Sequence, residues 1–350
     1  MRRSTTEMLE VLRADATLTA PSPMSPAQVV EALRLMLMSR AVDERLIKLQ
    51  RMGRVGVYGP VHGQEAAVIG SAMALDPRRD WMVPASREHL AMVRHGLPLA
   101  NLFATYMGSF DAAAIPNGVQ LLPRQQSIGA QLPQAVGLAW ALKLRKTGGV
   151  AAVYFGEGAS SEGDFHEASN LAGVMRVPLV MLLINNRYAI STPLSKQTAA
   201  PELARRADGY GFRGCAVDGN DLLAMYAATI DAVNRARSGE GPTLIECRTY
   251  RMGFHNTSDN PKEYREETEL AEAEQSDPIE RVRRYATREG FWSAADEAAA
   301  IEEIRAQIDA GQKHVEAQPR PGAAAIFEHV YDTLSPRLQQ QRSEAIDDAT

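Results

Sequence analysis

Three short, almost uninterrupted apolar runs stand out along the chain, at residues 150–155, 179–184 and 243–247. Runs of this length bounded by turn residues are typical of strands buried on both faces. Helical spacing of apolar residues follows the first run at 163–174 and precedes the third at 222–236. A strand–helix–strand unit of this size is a right-handed crossover between parallel strands. The pattern therefore predicts an α/β fold, with a parallel sheet covered by helices on both faces.

The flanking regions differ from this central pattern. Residues 1–25 end in a segment rich in proline and serine, which predicts a flexible N-terminal arm. Helical spacing begins at Ser25 and Pro26, a capping residue followed by a proline suited to the first turn. Beyond residue 260 the chain becomes acidic and then amphipathic. We expect an α/β domain over 26–260 and a helical C-terminal extension over 261–350, whose acidic part is a solvated face or braces a partner subunit.

Composition and charge narrow the class of protein. The 350 residues are 45% hydrophobic and 23% charged, which is ordinary for a globular chain. The formal net charge of −5 gives no indication of nucleic-acid binding. Two cysteines exclude a disulfide scaffold, and the longest aliphatic run, 179–184, is too short to cross a bilayer. Because acidic residues follow Arg2 and Arg3 without an apolar stretch, we expect no targeting peptide and a cytoplasmic, bacterial location.

Two motifs that carry chemistry follow consecutive predicted strands. Gly156–Ala159, with the sequence Gly-Glu-Gly-Ala, ends the first run, and Asn185–Asn186 ends the second. Ligands bind outside the carboxyl ends of parallel strands, so both motifs face the same region. Glycines and a following helix suit a phosphate, whereas the Glu157 carboxylate and the Asn186 amide oxygen suit Mg²⁺. The alternatives are a helix-start acid beside a plain turn, or a dinucleotide motif, although the full G-x-G-x-x-G pattern is lacking.

The two motifs, together with the residues that follow each of them, resemble the thiamine diphosphate motif. Residues 156–170 and 185–193 are similar to those in alpha subunits of 2-oxo acid dehydrogenase first components. The resemblance covers about residues 25–340 and implies the transketolase-like thiamine diphosphate-binding fold. It is supported by further blocks: His62–Glu65, Ser86–Glu88, Ile128–Ala135, Val217–Asn220 and Tyr250–Asp259. The segments 189–193 and 253–259 resemble the branched-chain members more than the pyruvate members.

The resemblance implies a role for each matching residue. Glu157, Asn186 and the Tyr188 carbonyl would hold Mg²⁺ against the cofactor diphosphate. Arg87 would bind phosphate oxygens, and Ile128 would wedge the two cofactor rings into a bent shape. His255 would be the catalytic histidine, which donates to phosphate or substrate or exchanges a proton. The cofactor-binding set is therefore Arg87, Ile128, Gly156, Glu157, Gly158, Ala159, Asn186, Tyr188 and His255.

The implied function is oxidative decarboxylation of branched-chain 2-oxo acids with reductive acylation of a lipoyl group. The implied partners are a beta subunit, which supplies the glutamate that activates the cofactor, and a lipoyl-bearing acyltransferase. We expect two alpha and two beta chains, with no nucleic acid or membrane partner. The alternatives are the alpha subunit of a pyruvate or acetoin dehydrogenase, or a scaffold subunit without turnover.

Overall fold

A parallel sheet of five strands forms the centre of the protein. The computed structural model describes residues 8–109, 111–319 and 322–348. In space the strands lie in the order β1-β2-β3-β7-β6, and a small antiparallel hairpin, β4–β5, follows β3. The strands are β1 (Trp81–Val83), β2 (Ala151–Gly156), β3 (Leu179–Asn185), β4 (Tyr188–Ala189), β5 (Thr192–Pro193), β6 (Arg213–Asp218) and β7 (Thr243–Arg248). The predicted parallel α/β architecture is confirmed.

Helices connect and cover these strands, and several begin at the signals that the sequence carries. Ser25 and Gln28 form a capping box at the first helix, with Pro26 at its first position. Asp221 caps another helix by accepting hydrogen bonds from two backbone N–H groups. The helices are α1 (Pro26–Arg51), α2 (Glu65–Met73), α3 (His89–Arg94), α4 (Leu99–Tyr106), α5 (Gln131–Leu144), α6 (Gly163–Met175), α7 (Leu194–Gln197), α8 (Leu222–Arg237), α9 (Glu267–Glu274), α10 (Pro278–Arg288), α11 (Ala294–Glu316) and α12 (Pro336–Asp347).

The core divides into two layers because successive strand residues point to opposite faces of the sheet. Ala152 and Tyr154 of β2 join a cluster that contains apolar residues of α1, α2 and α8. Val153 and Phe155 of the same strand join a second cluster with residues of α5 and α6. Both faces of the sheet are therefore covered by helices, as the continuous apolar runs predict.

The strand register brings the carboxyl ends of the central strands to one edge. Gly156 of β2 pairs with Ile184 of β3, and Asn185 pairs with Arg248 of β7. The segments that follow these strands therefore begin side by side. This edge, called here the carboxyl edge, carries the predicted site residues Glu157 and Asn186.

The N-terminal segment is not the flexible arm that its composition predicts. Residues 1–7 lie outside the described residues, but the segment from residue 8 packs against β6. Leu9 donates a backbone hydrogen bond to Ala216 of β6 at 3.0 Å, and Leu12 is fully buried. The Asp221 carboxylate accepts the Val11 and Leu12 N–H groups at 2.6 and 2.7 Å. The prediction was wrong because the proline-rich residues lie beyond an apolar segment that covers an open sheet edge.

The C-terminal helices pack against the N-terminal half of the chain. Arg40 of α1 donates to Asp277, the cap of α10, at 2.6 Å. Gly311 of α11 lies against Phe103 of α4, where an added Cβ would be 3.4 Å from the ring. A helical C-terminal region is thus present, and the domain boundary at residue 260 stays a prediction. No helix among the described residues is long and apolar enough to span a membrane.

Candidate active site at the carboxyl edge

The segment after β2 forms a tight 3₁₀ turn over residues 158–161 that leads into α6. Gly158 lies against the β4–β5 hairpin so closely that an added Cβ would be 2.8 Å from the Ala189 Cβ. Only glycine allows this approach. Arg206 holds the turn from outside, donating to the Ser160 carbonyl and to its hydroxyl. The turn is therefore fixed on two sides, with Ala159 buried inside it.

Glu157 is the carboxylate at the start of this turn, and its side chain is 2% exposed. Its Oε2 accepts the Asn186 N–H at 3.3 Å, whereas its Oε1 is buried without a hydrogen-bond partner. Burial raises the pKa of Glu157, and hydrogen bonds from backbone N–H groups, including that of Asn186, oppose this only in part. Among the described residues Glu157 forms no ion pair. A buried carboxylate with one oxygen unpaired is costly unless it takes up a proton or a cation joins it.

The two asparagines after β3 have different roles. Asn185 donates its amide to Glu246 at 2.8 Å and so fixes the strand end to β7. Asn186 donates its amide to Gln64 Oε1 at 3.0 Å, which leaves the Asn186 Oδ1 facing the Tyr188 N–H at 3.2 Å. The chain then turns back through Arg187, whose φ of +74° lies in the left-handed region. This turn leads into β4, which begins at Tyr188.

The residues predicted to hold a cation are linked by hydrogen bonds: the Asn186 N–H donates to Glu157, and the Asn186 Oδ1 accepts from the Tyr188 N–H. The Tyr188 carbonyl accepts from Arg251 at 3.0 Å, but carbonyl and amide oxygens each have a second lone pair. The Glu157 Oε1 has both of its lone pairs free of hydrogen bonds. One carboxylate, one amide oxygen and one carbonyl form a hard-oxygen set that suits Mg²⁺ held also by phosphate. The described residues contain no cluster of three or more acidic, histidine or cysteine side chains suited to a metal, so the set depends on this single carboxylate.

Arg87 and His255 form the second part of the site. The Arg87 guanidinium donates to the Pro60 carbonyl, to the His255 carbonyl at 2.7 Å and to the His255 Nδ1 at 3.2 Å. Gly59 permits this packing, since an added Cβ would be 3.1 Å from the His255 carbonyl oxygen. Burial and the charges of Arg87 and Arg251 lower the pKa of His255 to about 4. His255 is therefore neutral at pH 7, and because arginine can only donate, we assign its proton to Nε2.

Ile128 is placed differently from the other predicted residues. Its side chain is 60% exposed, in the loop before α5. The next residue, Gly129, lies against Glu162 at the start of α6, where an added Cβ would be 3.3 Å from the Glu162 Cβ. The loop is thus attached near the Glu157 turn, but no described residue covers the Ile128 side chain. Its predicted role under the cofactor stays a prediction.

Three side chains support the site without having been assigned a role from the sequence: Gln64, Arg206 and Arg251. Gln64 orients Asn186, and Arg206 braces the Glu157 turn. Arg251 is buried and connects the carbonyls of Tyr188 and Ile190 to the Tyr264 hydroxyl. Gln64 and Arg251 lie in blocks that carry the family resemblance, so the resemblance was the signal by which the sequence could have identified them. Arg206 lies in no such block.

Comparisons with known proteins identify the family of the chain. Residues 33–324 match the family described as "Dehydrogenase E1 component". The chain is 42% identical over 319 residues to the pyruvate dehydrogenase E1 component subunit alpha of Staphylococcus aureus, covering 91% of this chain and 86% of the relative. It is 39% identical over 339 residues to the protein of that name from Staphylococcus epidermidis, covering 96% of this chain and 91% of the relative. The chain therefore belongs to the dehydrogenase E1 component family of thiamine diphosphate-dependent 2-oxo acid dehydrogenases, as an alpha-subunit chain.

Proposed function

We propose that the chain is the alpha subunit of a pyruvate dehydrogenase first component and that it binds Mg²⁺ and the cofactor diphosphate at the carboxyl edge. The observation that carries the proposal is the buried, unpaired Oε1 of Glu157 beside Asn186 and the Gly158 turn. Mg²⁺ there would neutralise the carboxylate and phosphate charges together. The substrate assignment follows the similar proteins, which are named for pyruvate rather than for branched-chain acids.

The chain's own residues divide the work of binding and orientation. Bound thiamine diphosphate would supply the electron sink for decarboxylation. Glu157, Asn186 and the Tyr188 carbonyl would hold the metal, and Gly156, Gly158 and Ala159 would present backbone groups to phosphate. Arg87 would bind phosphate with its remaining N–H groups, because the carbonyls of Pro60 and His255 hold its guanidinium in place. The neutral His255 ring would donate a hydrogen bond from Nε2 to phosphate or substrate.

We further propose that the site is completed by a beta subunit and serves a lipoyl-bearing acyltransferase in the bacterial cytoplasm. Ile128 and Ile190 leave large apolar side chains exposed next to the site, at 60% and 56%. Exposed apolar groups around polar ones are typical of surfaces that a partner or ligand covers. The activating glutamate that the family resemblance implies would come from the beta subunit. The chain alone would then bind metal and diphosphate without completing the reaction.

A branched-chain substrate is the second candidate, and specific segments favour it. Residues 189–193 and 253–259, which resemble branched-chain members, both border the site in the structure: Ala189 contacts Gly158, and His255 contacts Arg87. Since these segments form part of the surroundings of the cofactor, they could influence which 2-oxo acid fits.

Substrate ranking by the assembled enzyme tests the proposal. The chain would be co-purified with its beta subunit and assayed for CO₂ release with thiamine diphosphate and Mg²⁺. Pyruvate, 3-methyl-2-oxobutanoate and 4-methyl-2-oxopentanoate would be compared, with acetoin oxidation measured in parallel. We expect pyruvate to be preferred. Preference for the branched acids would favour the second candidate, preference for acetoin would indicate a sister enzyme, and inactivity despite bound cofactor would indicate a scaffold subunit.

A further inference from the structure

The loop between α1 and α2 contacts both Arg87 and the segment that carries His255. Residues 58–63 are called here the anchor loop. Two hydrogen bonds join its Tyr58 to Thr257. The Tyr58 N–H donates to the Thr257 Oγ1 at 3.1 Å, and the Tyr58 carbonyl accepts from the Thr257 N–H at 2.8 Å. Its Pro60 carbonyl accepts from Arg87. The loop therefore links Arg87 to the segment that carries His255.

One buried carboxylate, that of Asp43, holds the anchor loop by hydrogen bonds. Asp43, in the middle of α1, is 3% exposed. Its Oδ2 accepts the N–H groups of Val61 and His62 at 2.9 and 3.2 Å, and its Oδ1 accepts the Tyr58 hydroxyl. All three donors belong to the anchor loop. Among the described residues no arginine, lysine or histidine forms an ion pair with Asp43, and the anchor loop provides the donors that satisfy this buried carboxyl group.

The Tyr58 side chain is also fixed from the other side. Its ring stacks on His89 with centroids 5.3 Å apart and meets the edge of Tyr106 at 4.9 Å. The His89 ring lies between the two hydroxyls, 3.2 Å from that of Tyr58 and 2.7 Å from that of Tyr106. Arg124, from the loop that carries Ile128, covers the Tyr106 ring at 4.4 Å. A continuous set of contacts thus runs from Asp43 to the loop of Ile128.

We infer that Asp43 is a positioning residue for the cofactor site: it holds the anchor loop, and the loop holds Arg87 and the His255 segment in a geometry that matches a diphosphate. The inference rests on the proposed function, in which Arg87 and His255 face the cofactor. A purely structural role would be served better by a less costly residue, because burial raises the pKa of Asp43 to about 7. A buried carboxylate is expensive, and an apolar residue of similar size often stabilises more.

Asp43→Asn tests the inference because the amide cannot accept all three hydrogen bonds. The complex with the beta subunit would be stripped of cofactor and titrated calorimetrically with thiamine diphosphate in Mg²⁺, and its thermal unfolding would be measured without cofactor. We expect the dissociation constant to rise about tenfold, the scale of one lost buried hydrogen bond. The turnover number at saturating cofactor should fall less than the affinity does.

Asp80→Asn is the matched control, since Asp80 is also a buried carboxylate but lies at the opposite end of the sheet. It should lower the unfolding temperature and leave cofactor affinity unchanged. Cofactor affinity in Asp43→Asn equal to that in Asp80→Asn would overturn the inference. If Asp43→Asn does not assemble, Tyr58→Phe removes one of the three donors, and unchanged affinity in that variant overturns the inference equally.

Arg87→Gln separates this inference from the proposed function. Weak cofactor binding by Arg87→Gln with normal binding by Asp43→Asn would overturn the inference alone. Normal cofactor binding by Arg87→Gln would contradict the proposed site, and the role of Asp43 with it. Parallel weakening in both variants supports both.

Discussion

Two buried carboxylates at opposite ends of the sheet show how a structural site differs from a functional one. Asp80 precedes β1 at the amino edge, and both its oxygens are paired: it accepts from the N–H groups of Val150 and Asp76 at 3.1 and 2.9 Å and from the Arg237 guanidinium at 2.6 Å. Glu157 follows β2 at the carboxyl edge, with one oxygen unpaired and no ion pair among the described residues. The fold satisfies both oxygens of Asp80, whereas the described residues leave one oxygen of Glu157 without a hydrogen-bond partner.

The surroundings of the two carboxylates support the same distinction. At the amino edge, Lys143 donates to the Met175 carbonyl at the end of α6 at 2.7 Å, where a cation is favoured. Arg237 donates to the Gly148 carbonyl in the loop before β2 at 3.2 Å. At the carboxyl edge, backbone turns bring oxygens together instead. A buried charge that its own fold neutralises indicates stability, whereas one that the fold leaves unpaired indicates a ligand.

The largest expected effect is that of Glu157→Gln on activity. Loss of the only carboxylate in the predicted metal set should reduce CO₂ release by the alpha–beta complex by at least about 100-fold. The unfolding temperature without metal and cofactor should stay equal or rise, because an unpaired buried charge is removed. Full activity in this variant would show that the two carboxylates do not differ as described.

Asp80→Asn should have the reverse effect. With Arg237 left beside a neutral amide, the free energy of unfolding should fall by about 3 kcal/mol. Urea unfolding of the assembled complex would measure the loss, and the fraction that stays folded should turn over at the normal rate. A loss of activity without a loss of stability would mean that the amino edge takes part in function.

Gly158→Ala tests how closely the turn must approach the hairpin. The new Cβ would meet the Ala189 Cβ at 2.8 Å, so the turn must shift, at a cost of about 1–3 kcal/mol. We expect cofactor affinity to fall about tenfold at that cost, as measured by calorimetric titration. Gly137→Ala in α5 is the control, because an added Cβ there has no neighbour within 4 Å. Equal affinities in the two variants would argue against a tightly fitted turn.

A smaller effect concerns pH. The pKa of His255 is lowered from 6.5 to about 4, so the unfolded chain takes up a proton between these values before the folded chain does. The contribution of His255 to the free energy of unfolding is therefore fully present above pH 6.5 and is lost as the pH falls towards 4. Urea unfolding of the cofactor-free complex at pH 7.5 and 5.5 should show a smaller decrease in His255→Gln than in the wild type. An identical decrease would place the charged form of His255 in the folded protein.

The fold was predictable where burial was complete. β2, β3 and β7 were found because they are mostly apolar, with Glu246 the one charged residue inside the predicted runs, and because they lie in the interior of the sheet. β1 was missed because three residues give no periodicity, and β6 because its sequence, Arg213–Asp218, mixes polar and apolar residues. The docking of residues 8–18 on β6 was missed for the same reason, since an unrecognised strand offers no edge to cover.

The site was predictable where its residues are adjacent in sequence to strand ends. Glu157 and Asn186 follow β2 and β3 directly, so the parallel register alone brings them together. Asp43 and Arg206 reach the site through tertiary contacts that no spacing reveals. Asp43 in particular lies in a helix whose pattern only identifies it as a polar residue, and its three loop contacts appear only in the folded chain.

The most direct test of the central claim is to measure whether Mg²⁺ and the cofactor bind through Glu157. Thiamine diphosphate would be titrated into the cofactor-free alpha–beta complex with Mg²⁺ and with a chelator, for the wild type and for Glu157→Gln. The account predicts tight, Mg²⁺-dependent binding by the wild type and equally weak binding by the variant under both conditions. Binding by Glu157→Gln that still strengthens with Mg²⁺ to the wild-type level would contradict it.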